Sequence, residues 1–196
     1  MFKFVVPSLA LVLAGFVAVS AAEKSDKIES GLKLGAFPPA FNVRDITGPE
    51  KGETLCYRCK FSSKPVVNIF AREITPELTA LIKNVDKQVE KNKDKKMEAF
   101  VVFLSDDVDT IEPKIKELAE KNKVKIPLTL IEDVAGPEEY HISKDADVTI
   151  MMWVDNEVKV NHAFAKGKLK KENVKNVADD TKKILEADDA KATSKS

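Results

Sequence analysis

Two runs of apolar residues place the strongest constraint on how this chain can fold. Residues 65–70 and residues 99–104 are both dominated by apolar side chains, as expected of strands that are covered on both faces. Between them, Thr75 offers a helix N-cap and Pro76 a first helical position. Apolar side chains then recur at helical spacing and predict one buried stripe: Leu78, Leu81, Ile82, Val85 and Val89. The pattern predicts two parallel strands joined by a crossover helix.

The sequence on either side of this unit predicts further strands and helices. Residues 40–46 alternate like a half-buried strand, and residues 126–131 read as a third buried strand. A helix capped by Asp109 or Thr110 should come just before residues 126–131. Residues 148–154 and 158–164 predict a hairpin, and a last helix should cover residues 170–185.

This order of elements predicts an α/β fold with one mixed sheet and helices on both faces. Right-handed crossovers place the helices over the sheet and bury its central strands. We expect the core to include the following side chains: Val67, Ile69, Phe70, Leu81, Val101, Phe103, Leu118, Ile150 and Trp153.

The N-terminus predicts an export signal. Lys3 gives a positive start, residues 4–19 are apolar, and the small residues Ser20, Ala21 and Ala22 follow. The apolar run is shorter than the roughly 20 residues that span a bilayer comfortably, although an uncleaved anchor is the alternative. We therefore expect the mature protein in the periplasm or outside the cell, without membrane contact after signal cleavage.

The remaining chain is predicted to form a single domain. We assign residues 1–22 to the signal peptide, 23–34 to a flexible leader, 35–186 to the folded domain and 187–196 to a disordered tail. About 170 mature residues are enough for one substantial hydrophobic core. Basic and acidic residues balance at 32 each, so charge gives no reason to expect nucleic acid as a partner.

The two cysteines form a C-x-x-C pair that precedes the first apolar strand. Cys56 and Cys59 are separated by Tyr57 and Arg58. In an exported protein such a pair can switch between dithiol and disulfide, and Arg58 and Lys60 would favour a thiolate. The alternative is a permanent disulfide that pins the loop ahead of the strand. The spacing of the cysteines does not separate these two interpretations.

Metal binding is a third interpretation of the same pair, and it has less support. A structural zinc site usually needs four ligands, and only His141 and His162 could add to the cysteines, from far along the chain. Met151 and Met152 are soft ligands, but adjacent residues on a strand point to opposite faces. We therefore expect no metal and no other cofactor.

The order of elements and two local patterns carry a family resemblance. The segment Gly35-Ala-Phe-Pro-Pro-Ala-Phe41 is similar to the G-x-x-x-P-x-F opening of redoxins, and the strand over residues 126–131 is similar to a peroxiredoxin-type insertion. From about residue 35 to residue 185 the chain resembles the redoxin branch of the thioredoxin-like fold. This branch includes peroxiredoxins and exported thiol-disulfide reductases. The resemblance implies a three-layer sandwich around a central mixed sheet.

The resemblance also shows where this chain departs from its pattern. It implies a reactive cysteine near Thr75, at the start of the helix after the central strand, and a cis-proline near Asp147. Neither residue type is present at those positions. A hydroxyl at Thr75 cannot replace a thiolate, because it does not ionise near neutral pH or cycle through a disulfide.

Two classes of function follow from these observations. In the first, Cys56 and Cys59 form a reversible disulfide that exchanges with a protein thiol or disulfide. By analogy with other C-x-x-C proteins, Cys56 would attack, Cys59 would resolve the mixed disulfide, and Arg58 would hold the thiolate. In the second, the pair is a structural disulfide in a redox-inactive module. Such a module would bind a partner through the cleft around residues 72–75, where ligands meet open α/β sheets.

Overall fold

The computed structural model describes residues 28–187. Its strands are β1 (Val43–Asp45), β2 (Thr54–Leu55), β3 (Val66–Ala71), β4 (Glu98–Leu104), β5 (Leu128–Ile131), β6 (Ala146–Val154) and β7 (Glu157–Ala165). Its helices are α1 (Tyr57–Phe61), α2 (Pro76–Lys91), α3 (Val108–Asn122) and α4 (Lys171–Asp180), with a single 3-10 turn at Glu138–Tyr140.

All the described strands belong to one mixed sheet. Their order is β2-β1-β5-β4-β3-β6-β7. The strands β3, β4 and β5 are parallel, as the crossover helices α2 and α3 require, whereas β1, β2, β6 and β7 pair antiparallel with their neighbours. The predicted α/β fold with one central mixed sheet is therefore confirmed.

The first face of the sheet carries the aliphatic core. Alternate residues of β3, such as Val67 and Ile69, point to this face and pack against α2, α3 and α4. The predicted stripe of α2 is buried here from Leu78 to Val85. Every side chain that we expected in the core has at most 5% of its surface exposed, so that prediction is also confirmed.

The second face, which we call the aromatic face, is covered differently. Large rings dominate it, and they belong to Tyr57, Phe61, Phe70, Phe100, Tyr140 and Trp153. The helix α1, the 3-10 turn and the chain before β1 lie over these rings. Helices thus cover both faces, but the cover on the aromatic face is mostly irregular chain. This arrangement places the cysteine-bearing helix α1 directly on the sheet.

Residues 30–32, which lie in the segment that we assigned to a flexible leader, are instead packed onto the sheet. The hydroxyl oxygens of Ser30 and Thr149 are 2.7 Å apart and hydrogen-bonded. The Gly31 N–H donates to the His141 carbonyl at 3.2 Å, and Leu32 is buried in the aromatic face. The leader prediction failed here because polar residues such as Ser30 are buried when they find partners.

Several predicted boundaries shift in the structure. The strand predicted at residues 40–46 is only three residues long. The helix α3 is capped by Asp107, whose carboxylate accepts from the Thr110 N–H at 3.2 Å, and not by Asp109 or Thr110. The last helix, predicted over residues 170–185, is α4 with its C-cap at Thr181, followed by a further helical turn.

The predicted signal peptide, residues 1–22, lies outside the described residues, as does almost all of the predicted tail. Export therefore stays a prediction, and so does the domain boundary at residue 186. Within residues 28–187, no helix combines the length and the apolar character needed to cross a membrane.

Candidate functional site

The cysteine pair forms a disulfide at the start of the short helix α1. Cys56 is the N-cap residue with an extended backbone, and Cys59 lies within the helix. The Cys59 N–H donates to the Cys56 Sγ at 3.0 Å. The Lys60 N–H donates to the Cys56 carbonyl, also at 3.0 Å. The turn of helix between the two cysteines thus positions them to form the S–S bond.

The two cysteines differ in how far they are exposed. Cys59 is exposed, whereas Cys56 is half-buried. Open grooves flank the helix, with volumes of about 450 Å³ and about 400 Å³, and Lys60 and Phe61 line both. Neither groove is lined by a cysteine, so it is the exposure of Cys59 that lets a thiol on another molecule reach this disulfide.

Tyr57 anchors α1 to the sheet. Its hydroxyl donates to the Asp45 Oδ2 at 2.7 Å, and its ring stacks on Phe100 with the centroids 5.7 Å apart. Burial is the main cause that raises the Tyr57 pKa above its ordinary value, and the hydrogen bond to Asp45 adds to it. The hydroxyl is therefore protonated at neutral pH and holds α1 in place.

Arg58 is bonded to groups other than the disulfide. Its Nε donates to the Pro38 carbonyl at 2.6 Å and its Nη2 to the Asn156 Oδ1 at 2.9 Å. The guanidinium also lies 4.5 Å from the centre of the exposed Phe37 ring. We expected Arg58 to hold the thiolate, but its donors are directed to these other groups.

The disulfide and Thr75 lie at opposite ends of β3. The chain leaving α1 meets the N-terminal end of this strand, where the Asp155 N–H donates to the Ser63 carbonyl at 2.8 Å. Thr75 follows the C-terminal end, and its Oγ1 caps α2 by accepting from the Leu78 N–H at 3.1 Å. A strand of six residues is roughly 20 Å long. The cysteine pair therefore gains nothing from the N-terminus of α2.

The charged residues near Thr75 are partnered within the protein. The Arg72 guanidinium donates to the carbonyls of residues 134, 143 and 146, and burial lowers its pKa. Glu73 forms an ion pair with Lys166. Arg72 thus joins the end of β3 to the segment before β6, which is a structural role.

Asp147 occupies the position that the redoxin pattern gives to cis-proline. Its carbonyl accepts from the Arg72 N–H at 3.0 Å, and the described residues contain no cis peptide bond. Burial is the main cause that raises the Asp147 pKa, and the nearby Glu73 adds to it. This end of the sheet therefore has neither the thiol nor the proline of a redoxin site.

The structure also places the residues that we considered as metal ligands. Met151 and Met152 point to opposite faces of β6 and belong to different cores. The His162 Nε2 is hydrogen-bonded to the Asp180 Oδ2 at 2.8 Å, which links β7 to α4. Within residues 28–187, no three His, Cys, Asp or Glu side chains are grouped so that they could hold a metal ion.

Sequence reasoning missed Asp45, the residue that fixes α1 through Tyr57. The available signal was its place just before the turn Thr47-Gly48-Pro49, because an aspartate there commonly accepts hydrogen bonds from turn N–H groups. Its Oδ1 does accept from the Gly48 N–H at 2.7 Å. The bond from Tyr57 depends on tertiary structure and has no local signal.

No protein-family model matches the sequence, and no curated protein matches it. Solved structures do resemble it. A candidate thiol:disulfide interchange protein DsbE from Chlorobium tepidum has a TM-score of 0.61 and 13% identity, over 79% of this chain and 99% of that one. The thioredoxin domain of a thiol-disulfide oxidoreductase from Bacteroides vulgatus has a TM-score of 0.55 and 18% identity, over 76% of this chain and 96% of that one.

A peroxidoxin, BcpB from Mycobacterium tuberculosis, is also similar, with a TM-score of 0.54 and 19% identity over 80% of this chain and 97% of that one. At these identities the comparison defines the fold. The protein has a thioredoxin-like fold of the kind shared by redoxins and peroxiredoxins. The resemblance inferred from the sequence is thereby confirmed.

Proposed function

We propose that the protein is an exported thioredoxin-fold protein that exchanges thiols and disulfides through Cys56 and Cys59. One observation carries the proposal: a C-x-x-C disulfide with one exposed sulfur-bearing residue and a hydrogen bond to the other sulfur. Such a pair can be attacked from solvent and can release a stabilised thiolate. Its partner would be a protein that carries a thiol or a disulfide.

The fold is consistent with this proposal. Solved structures of the same fold include proteins described as a thiol-disulfide oxidoreductase and a candidate thiol:disulfide interchange protein. In the present protein, however, the chemistry would occur at the opposite end of β3 from Thr75. The export part of the proposal rests on the N-terminal sequence, and N-terminal sequencing of the secreted protein should show cleavage after Ala21 or Ala22.

Turnover of insulin or glutathione disulfide by residues 23–196 tests the exchange activity. We expect the wild-type protein to turn over substrate and Cys56→Ser, Cys59→Ser and the double variant to fall to background. Far-UV circular dichroism of each variant controls for folding. Background rates for folded wild-type protein would contradict the proposal.

The second candidate is a redox-inactive binding module with a structural disulfide. It is favoured by one observation, that Thr75 and not a cysteine caps α2. The reduction potential of the pair separates the two candidates. A value above about −270 mV supports exchange, whereas a value below about −300 mV indicates a structural bridge.

A further inference from the structure

We infer that an incoming thiolate attacks the Cys59 sulfur and that Cys56 leaves as the thiolate. This inference rests on the proposed exchange function and assigns the roles within it. It reverses the order expected by analogy, in which the first cysteine of the motif forms the mixed disulfide. The structural grounds are access, stabilisation of the leaving group, and anchoring of the chain.

Access favours attack at Cys59. The residue lies on the solvent side of α1 and is exposed, whereas Cys56 is half-buried at the N-cap. Attack on a disulfide needs an approach to one sulfur along the line of the S–S bond, so the accessible sulfur reacts faster. Cys59 is therefore the cysteine that another protein reaches first.

Stabilisation of the leaving group also favours this direction. The Cys59 N–H already donates to the Cys56 Sγ at 3.0 Å. A hydrogen bond to a charged acceptor is stronger than one to a neutral acceptor, so this bond strengthens when Cys56 becomes a thiolate. The structure gives no corresponding donor to the Cys59 sulfur within the described residues. A better-stabilised thiolate leaves faster.

The backbone keeps Cys56 where this hydrogen bond can persist. The next residue, Tyr57, is held by its hydrogen bond to Asp45 and by its ring contact with Phe100. The Lys60 N–H holds the Cys56 carbonyl. These contacts do not depend on the S–S bond, so the Cys56 thiolate stays beside the Cys59 N–H after the bond breaks.

A dithiol on the partner protein supplies the two electrons that reduce the Cys56–Cys59 disulfide. One partner thiolate forms a bond to the Cys59 Sγ, the S–S bond breaks, and its electron pair goes to the Cys56 Sγ. The second partner thiolate then attacks the partner sulfur in the mixed disulfide and releases the Cys59 thiolate. The partner is oxidised to a disulfide, and the pair becomes a dithiol after protonation. In the reverse direction Cys59 attacks a disulfide and Cys56 resolves it.

Mapping of a trapped adduct tests this assignment. Oxidised wild-type protein is mixed with the monothiol glutathione, quenched with acid at early times, and digested for mass spectrometry. We expect the glutathione adduct on Cys59 to exceed that on Cys56 by at least about threefold, because a modest difference in pKa between the two leaving thiols changes the exchange rate by about this factor. Equal adducts, or an excess on Cys56, would overturn the inference.

The single variants provide a second readout. Cys59→Ser keeps the backbone N–H of residue 59, which stabilises the Cys56 thiolate. In Cys56→Ser, the remaining thiolate at Cys59 has no such donor among the described residues. The pH dependence of alkylation by iodoacetamide should therefore give a lower pKa for Cys56 than for Cys59, and the opposite order would contradict the inference. Both tests use small reagents, so they remain informative even if the protein fails to turn over insulin and the proposed function is wrong.

Discussion

The Tyr57 hydroxyl donates a 2.7 Å hydrogen bond to the Asp45 carboxylate, and both residues have at most 1% of their surface exposed. The same carboxylate accepts from the N–H groups of Gly48 and Glu50, at 2.7 and 2.9 Å. Asp45 thereby ties the residue after Cys56 to the loop between β1 and β2. The position of α1 thus depends on a buried polar contact as well as on the disulfide.

Removal of the tyrosine hydroxyl should destabilise the protein at neutral pH. Tyr57→Phe keeps the ring on Phe100 but removes one donor from a buried carboxylate, which costs about 1–3 kcal/mol. Urea unfolding at pH 7 measures this change. Tyr140→Phe is a matched control, because the Tyr140 hydroxyl donates to the neutral Pro39 carbonyl at 2.7 Å and its loss should cost less. An equal or smaller loss in Tyr57→Phe would contradict this account.

The same tyrosine should make stability fall at alkaline pH. Burial and Asp45 raise the Tyr57 pKa in the folded protein above its ordinary value of 10.0, so the unfolded chain loses this proton first. Stability is then fully present below about pH 10 and falls as the pH rises further. Unfolding free energies measured from pH 8 to pH 11.5 should fall more steeply for wild type than for Tyr57→Phe. Parallel curves would show that Tyr57 does not contribute.

A methyl group at residue 48 should disrupt the same contact. A Cβ built on Gly48 would lie 2.6 Å from the Asp45 Oδ2 and 2.7 Å from the Tyr57 Oη, which are closer than such atoms can approach. Gly48→Ala should therefore cost at least as much stability as Tyr57→Phe, and the double variant should cost less than the sum. Thermal unfolding of the set measures this, and full additivity would argue against a shared contact.

Replacement of Asn68 by valine should stabilise the protein. Asn68 is fully buried in β3, and neither its Oδ1 nor its Nδ2 has a hydrogen-bond partner. Valine has a similar volume, suits a strand, and removes an unpaired polar group, which is worth about 1–3 kcal/mol.

Thr149→Val is the matched control for this substitution. Thr149 is equally buried on β6, but its hydroxyl is paired with Ser30, so the same replacement should destabilise the protein. Chemical unfolding of both variants measures the difference. A loss of stability in Asn68→Val would show that the amide is hydrogen-bonded in solution.

Substitution of Arg72 should lower stability, because its guanidinium donates hydrogen bonds to the carbonyls of residues 134, 143 and 146. We expect Arg72→Ala to lose about 2–3 kcal/mol and Arg72→Lys to recover little of it, since an ammonium lacks the planar fork of donors. Glu73→Gln is the control, because the solvent-exposed pair with Lys166 should contribute little to stability. Denaturant midpoints compare the three variants. Wild-type stability in Arg72→Ala would favour a ligand-binding role for this arginine.

The sequence by itself determined the central part of the fold. The apolar runs that became β3 and β4, and the stripe of α2, have patterns that require burial on a sheet. The N-cap at Thr75 is likewise a local feature, so it could be predicted. Together they predicted the fold class, the core and the absence of a thiol at the usual position.

Only the tertiary structure decided how the cysteine pair is held and which cysteine is exposed. The spacing of Cys56 and Cys59 left exchange and structural roles open, because exposure depends on what α1 packs against. The buried position of Ser30, and the long-range bonds of Arg58 and Arg72, depend on partners far along the chain. Local sequence patterns record propensity and periodicity, whereas these polar contacts form only when distant segments are brought together.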